Sequence, residues 1–172
     1  MVKLRSLFAL GDMIVHRSYG VGQIDGIESK PMNGTKVECF KVKTQNGDYW
    51  FPTEGKENPR IHLVASQELI QRVIEILRSA PIDLENDHLQ WKERIDSVLR
   101  DGDILAVSNL LRDLAVLKMT GKLNRTQDQA LKNLKGRLLT EWAASLAVEP
   151  ESIQPRLQAY LLESSKAYQN AL

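Results

Sequence analysis

The distribution of glycine and apolar residues changes near residue 65, and this change limits the fold more than any other feature. Residues 1–65 hold most of the glycines and two Asn-Gly pairs, whereas residues 66–172 carry apolar residues at helical spacing. Asn-Gly is the strongest short-range signal for a β-hairpin, and apolar residues three and four apart mark one face of a helix. We therefore expect an α+β chain, with a β module over residues 1–65 and a helical domain over residues 66–172.

The pattern of the first 65 residues predicts five short strands. Asn33-Gly34 and Asn46-Gly47 predict two tight hairpins with a half-buried strand, residues 37–43, between them. Upstream, residues 11–22 predict a short strand, a corner where glycine permits positive φ or a close backbone approach, and the start of a second strand. Residues 49–51 and 61–64 complete the set. Short, bent strands in such a small module favour a barrel of the SH3 or Tudor kind.

Five helices are predicted in the second part of the chain. Their expected starts are capping residues or proline, and their expected ends are glycine or proline positions. The starts are Ser66, Asp87 with Gln90, Asp103, Thr126 with Gln129, and Pro150, and the ends are Pro81, Gly102 and Gly121. Apolar stripes at helical period predict that one core buries Leu111, Leu134, Leu138 and Trp142.

Few residues are of the types that carry chemistry. Cys39 is the single cysteine, which excludes an internal disulfide and a cysteine-rich zinc site, and its expected place is inside a strand. His16, His62 and His88 are far apart and lack the i,i+4 spacing of a helical metal site. Neither a G-x-x-x-x-G-K-[ST] phosphate loop nor a G-x-S-x-G nucleophile elbow is present. We therefore expect no metal, no cofactor, no small-molecule substrate and no catalytic activity.

Hydropathy predicts neither a membrane span nor a signal peptide. The longest apolar runs are far shorter than the roughly 18 residues that a spanning helix needs, and few apolar residues precede Asp12. The expected location is the cytoplasm, with no membrane partner.

A basic segment lies within a nearly neutral chain. The net charge is +1, yet residues 112–137 contain seven basic and two acidic residues. Such asymmetry predicts either a local phosphate-binding face or an ordinary solvated helix surface.

Two sets of residues resemble one family. The string GDMIVHRSYGVG at residues 11–22, followed by Ile24, Ile27, Glu28 and Phe51-Pro52, resembles the RNA polymerase-interacting domain shared by CarD-family transcription regulators and the transcription-repair coupling factor. In the helical part, residues 101–103 and 111–114 extend the resemblance to stand-alone CarD-type proteins, which have the same order of a small barrel and a helical domain. The coupling factor is also a motor, and the chain lacks the phosphate loop that a motor requires.

The resemblance implies a non-catalytic regulator of transcription initiation. It implies that the β module docks on the β subunit of RNA polymerase through an exposed sheet edge, where Lys30 and Trp50 match the contact positions. It also implies that the helical domain touches promoter DNA at the upstream edge of the melted region and stabilises the open complex. The alternative is a protein-interaction adaptor on RNA polymerase without DNA contact.

The tryptophans leave two questions open. Because side chains alternate along a strand, Trp50 either faces solvent as a partner anchor or lies under the adjoining helix. The resemblance implies that a tryptophan wedges into the minor groove, and Trp91 is the counterpart, although spacing from Gly102 points to His88. Helical periodicity with Ile95 favours burial of Trp91 instead. The candidate DNA-contacting residues are His88, Trp91, Lys92, Arg94, Lys122, Arg125, Lys132 and Lys135.

Overall fold

The computed structural model describes residues 7–55, 58, 60–82, 84 and 87–171. The chain divides into two compact units, residues 1–64 and residues 65–172. The first unit contains strands and the second contains helices, so the expected α+β class is confirmed.

The first unit is an antiparallel sheet of five strands in its described residues. The order across the sheet is β4-β3-β2-β1-β5, so β4 and β5 are the edges. The strands are β1 (Met13–His16), β2 (Gly20–Met32), β3 (Thr35–Thr44), β4 (Gly47–Pro52) and β5 (Ile61–Leu63). Their inner faces bury one apolar cluster of Ile14, Ile24, Phe40, Val42, Tyr49, Phe51 and Ile61. Cys39 is buried in β3, as expected.

Both predicted hairpins are present, but only the first has an Asn-Gly pair as its two-residue loop. Asn33 and Gly34 have φ of 50° and 81°, as a type I′ turn between β2 and β3 requires. In the second hairpin Thr44 pairs with Gly47, so Gln45 and Asn46 form the loop. There the positive φ, 131°, belongs to Gly47, and the Thr44 hydroxyl fixes the loop by accepting from the Asn46 N–H at 3.2 Å. The predicted hairpin is therefore present, but its loop is not a type I′ turn.

The glycines of the corner between β1 and β2 serve two different purposes. Gly20 has φ of 77°, a conformation that side chains disfavour. Gly22 is required for space, because a Cβ there would lie 2.6 Å from Val42 Cγ1 and 2.8 Å from the Lys43 carbonyl oxygen. The corner thus allows β2 to approach β3 closely.

The second unit consists of five helices, as far as the described residues go. They are α1 (Gln67–Arg78), α2 (His88–Asp101), α3 (Ile104–Met119), α4 (Arg125–Leu146) and α5 (Pro150–Ala171). Ser66, Asp87 and Asp103 are the N-caps of the first three helices, as predicted. The predicted start of α4 was wrong, because Asn124 is the N-cap and forms a capping box with Gln127, two residues before the expected Thr126 and Gln129.

Among the described residues of the helical unit, one apolar cluster forms the core. Leu111, Leu134, Leu138 and Trp142 are all buried in it, as the apolar stripes predicted. Ala65 and Glu141 connect the start of the unit to α4, since the Ala65 N–H donates to a carboxylate oxygen of the buried Glu141 at 3.3 Å.

The described helices are all too short or too polar to span a bilayer. Within the same residues, no cluster of three or more His, Cys, Asp or Glu side chains has the arrangement of a metal site.

Candidate interaction surfaces

Alternation along β4 places Trp50 outside the β module. Tyr49 and Phe51 are buried, whereas 39% of Trp50 is exposed. The two flanking rings therefore belong to the core and leave the indole on the outer face of the sheet. Of the two interpretations of Trp50, the structure supports the exposed one.

The Trp50 indole lies in a network with charged side chains of β2 and β3. Its Nε1–H donates to Glu28 Oε2 at 3.0 Å, and the Lys30 ammonium lies 3.9 Å from the ring centroid. Lys30 Nζ also lies 3.0 Å from Glu28 Oε2. Lys41 extends the network, because its Nζ is 3.6 Å from Glu28 Oε1 and 3.3 Å from Asp48 Oδ2. We call Glu28, Lys30, Lys41, Asp48 and Trp50 the indole patch.

Ionisation in the indole patch follows from these contacts. The hydrogen bond from Lys30 is the main cause that lowers the pKa of Glu28, and the Trp50 N–H acts in the same direction. The hydrogen bond to Asp48 is the main cause that raises the pKa of Lys41. Glu28 and Lys41 therefore stay ionised at neutral pH, and the patch presents an oriented aromatic ring beside the Lys30 ammonium group.

Lys30 and Trp50 are separate positions in the sequence, and in the structure both contact Glu28. Glu28 was not among the predicted site residues. Its spacing of two from Lys30 along a strand is the signal that places both side chains on one face. The patch reaches the sheet edge, because the described β4 pairs with β3 alone and an edge strand keeps one side of its backbone unpaired.

In the first turns of α2, Trp91 is buried whereas two other predicted DNA-contacting residues are exposed. Trp91 is 4% exposed and belongs to the helical core, which supports burial over a wedge. His88 and Lys92 are exposed, as is Leu89 at 63%. Leu89 was not predicted, although an apolar residue off the Trp91–Ile95 stripe is the pattern that would have indicated it.

Arg94 is engaged with the interior of the helical unit. Its Nη2 lies 2.6 Å from Asp113 Oδ2, and its guanidinium carbon lies 5.4 Å from the Trp91 ring centroid. The arginine side chain is 30% exposed and the aspartate side chain 3%. A phosphate contact by Arg94 would have to compete with this ion pair.

Five cations lie on the surface at the turn between α3 and α4. Lys122 and Arg125 are exposed in or beside the turn, while Lys118 and Lys132 lie 2.7 Å and 2.8 Å from the Asp128 carboxylate. Their hydrogen bonds lower the pKa of Asp128 to about 2. Lys135, which is half-buried, completes the set. Positions 125, 128, 132 and 135 recur at helical spacing, so they share one face of α4. We call Lys118, Lys122, Arg125, Lys132 and Lys135 the α4 basic face.

Two other basic residues of the segment are used inside the protein. Arg112 is buried against Asp113, and Arg137 donates to the carbonyl oxygens of Val98 and Gly102 at 3.5 Å and 3.3 Å. The charge asymmetry of the sequence therefore overstates the charge that the surface presents. The indole patch is suited to a protein partner, and the α4 basic face is suited to phosphate groups.

Comparison with known proteins connects both units to one family. The profile described as CarD-like/TRCF RID domain matches residues 8–55, and the profile described as CarD, C-terminal domain, matches residues 72–158. The chain is also similar to Putative transcription factor YdeB of Bacillus subtilis (strain 168). The two are 26% identical over 141 residues, which span 78% of this chain and 90% of that protein.

Proposed function

This chain belongs to the CarD-like family of transcription regulators, whose first domain interacts with RNA polymerase, and we propose that it regulates transcription initiation from a position on the polymerase. The β module docks on the β subunit, and the helical unit contacts promoter DNA beside the melted region and prolongs the open complex. The chain acts in the cytoplasm and without catalysis of its own. The family match over both units is the observation that carries this proposal.

The indole patch supports the docking step. An exposed tryptophan held in one orientation loses little conformational freedom on binding, and tryptophan is a frequent anchor of protein interfaces. Lys30 and Trp50 both belong to this patch, so one surface contains both residues that the family resemblance indicated.

The α4 basic face supports contact with DNA. Lys122 and Arg125 carry exposed charges beside the start of a helix, and Lys132 follows on the same face. Such residues neutralise phosphates without reading sequence. Weak intrinsic affinity is sufficient, because docking on polymerase raises the effective concentration of DNA near the helical unit.

Because Trp91 is buried, the exposed residues at the start of α2 are better placed than Trp91 to enter the minor groove. Leucine is among the side chains that wedge between base steps, and the exposed Leu89 lies between the exposed residues His88 and Lys92 in the sequence. Leu89 with His88 is therefore our candidate for contact with distorted DNA.

The second candidate function is an adaptor that binds polymerase and a further protein without touching DNA. Burial of Trp91 and the ion pair of Arg94 favour it, because both residues were expected near the duplex.

Co-purification tests the docking step. The unaltered chain is expected to retain RNA polymerase from a lysate, and the double variant Lys30→Glu, Trp50→Ala is expected to lose it. Lys36→Glu serves as a control, since it makes the same charge change at an exposed position of β3. Equal retention by both variants, with unchanged thermal unfolding, would contradict docking through the indole patch.

Two opposite substitutions test the DNA-contacting step. Lys132→Gln removes a cation and should lower the log–log salt slope of binding to a promoter fragment by about 0.9. Asp128→Asn removes the carboxylate that neutralises Lys118 and Lys132, so affinity should rise instead. Lys166→Gln, an exposed lysine of α5, is the control. The adaptor alternative predicts that none of the three changes DNA binding.

A further inference from the structure

A buried ion cluster centres on Asp113 of α3. Its Oδ2 lies 2.6 Å from Arg94 Nη2 of α2, and its Oδ1 accepts from Arg112 Nε at 2.8 Å. Asp113 and Arg112 are 2% and 3% exposed. One carboxylate thus compensates two guanidinium groups, one of which comes from another helix.

The cluster continues to the end of α1. Arg112 Nη1 donates to the Ser79 hydroxyl at 2.9 Å and to the Ile76 carbonyl oxygen at 3.4 Å. The Ser79 carbonyl oxygen in turn accepts from the Ser164 hydroxyl of α5 at 2.6 Å. The contacts therefore join α1, α2, α3 and α5 at the point where the chain leaves α1 towards α2.

The first half of α2 has little anchorage besides this cluster. Of its fourteen residues only Trp91 and Ile95 are buried, whereas α3 is buried along most of its length. Arg94 connects the two kinds of anchorage, since its guanidinium lies over the Trp91 ring and pairs with Asp113. Val98 and Leu99 pack partly against the core and Arg137 bonds the C-terminal end of the helix, so Trp91, Ile95 and the Arg94–Asp113 ion pair are what hold its first half.

We infer that Asp113 is a positioning residue for α2: acting through Arg94, it fixes the rotation of the helix so that Trp91 stays inside and His88, Leu89 and Lys92 stay outside. We call the Arg94–Asp113 ion pair the clamp, and Arg94 belongs to it rather than to a phosphate-binding surface. The link to promoter DNA rests on the proposed function, whereas the clamp itself is a property of the free protein.

Hydrogen exchange of the free protein tests the clamp. Arg94→Met keeps an apolar chain over Trp91 but removes the bond to Asp113, and it should accelerate amide exchange in α2 by about tenfold, which corresponds to roughly 1.4 kcal/mol. Amides of α5 should change much less. Arg94→Lys, which can form one bond to the carboxylate, should restore part of the protection.

Arg100→Met is the matched control, because Arg100 lies on the same helix and its ion pair, 2.7 Å long, is with the adjacent Asp101, while its side chain is 71% exposed. It removes the same charge and should leave α2 exchange unchanged. Equal exchange in Arg94→Met and Arg100→Met would overturn the inference, and so would a uniform acceleration across all helices.

A promoter assay separates the clamp from the proposed function. Arg94→Met should shorten the open-complex lifetime more than Arg100→Met if α2 faces DNA. Faster exchange of α2 with an unchanged lifetime would uphold the clamp and contradict the DNA-facing role of α2. A salt slope lowered equally by both variants, with no change in exchange, would instead make Arg94 a phosphate contact and overturn the clamp.

Discussion

Gly22 and Gly26 are two glycines of β2 with opposite tolerance for a side chain. Neither needs a positive φ, but a Cβ at Gly22 would lie 2.6 Å from Val42 Cγ1, whereas a Cβ at Gly26 meets nothing within 4 Å. We expect Gly22→Ala to lower the free energy of unfolding by about 1–3 kcal/mol, as overpacking does. Gly26→Ala should change it by less than about 0.5 kcal/mol. Denaturant unfolding of both variants checks this, and equal stability would contradict the close approach of β2 and β3.

His16 gives the β module a defined response to acid. Its Nδ1 accepts from the N–H groups of Ser18 at 3.0 Å and Tyr19 at 3.3 Å, so the ring must be neutral for both bonds to form. Burial, helped by Arg60, lowers the pKa of His16 below its ordinary value of 6.5. The unfolded chain therefore takes up the proton at higher pH than the folded chain does, and folding stability falls as the pH drops below about 6.5.

His16→Asn is the variant that isolates this effect. An asparagine side chain can accept from backbone N–H groups two residues on and does not titrate. We expect the wild-type chain to lose more stability than the variant between pH 7 and pH 5.5, measured by thermal unfolding in matched buffers. Parallel pH profiles for the two chains would rule out His16 as the source.

Trp50 and Trp91 show how far sequence patterns predict whether a single side chain is buried or exposed. Alternation along a short strand was enough to place Trp50 outside once Phe51 was taken as core, because a strand has only two faces. Trp91 lies on a helix with a narrow apolar stripe, where periodicity and resemblance gave opposite answers. Its neighbour Arg94 pairs with Asp113 of α3, which is distant in sequence, and pairing between helices has no local pattern.

The start of α4 provides a test between two capping patterns. Asn124 with Gln127 and Thr126 with Gln129 both fit a capping box, and the structure uses the first. Asn124→Ala removes the acceptor of the Gln127 N–H and should cost about 0.5–2 kcal/mol of stability. Thr126→Ala, at an exposed position inside the helix, should cost little. A larger loss for Thr126→Ala would contradict the assigned cap.

At the scale of elements the sequence predicted existence and type better than ends. All five strands and five helices of the described residues were expected, because hairpin turns and apolar stripes are local patterns. Among the boundaries that differed, β2 continues to Met32 although only short strands were expected, and α4 is capped by Asn124 rather than by Thr126. At α4, packing decides which residue caps the helix, because Gln127 is buried and its burial favours the start at Asn124.

At the scale of the whole molecule, two units with different surfaces are joined in one chain. The indole patch belongs to the unit of residues 1–64, and the α4 basic face belongs to the unit of residues 65–172. If the first surface docks and the second acts on DNA, damage to each should alter a different parameter of the promoter response. Docking sets the concentration at which the response appears, and DNA contact sets its maximum.

Titration of the chain against open-complex lifetime measures both parameters at once. Trp50→Ala should shift the half-maximal concentration upward by about 5- to 150-fold, as loss of an anchor worth about 1–3 kcal/mol implies, and should leave the plateau unchanged. Combined replacement of Lys122, Arg125 and Lys132 by glutamine should lower the plateau at any concentration, because the chain still occupies the polymerase. An adaptor without DNA contact predicts an unchanged plateau for the glutamine variant. A lowered plateau for Trp50→Ala, with folding intact, would mean that the indole patch acts after docking and would contradict the division of roles between the units.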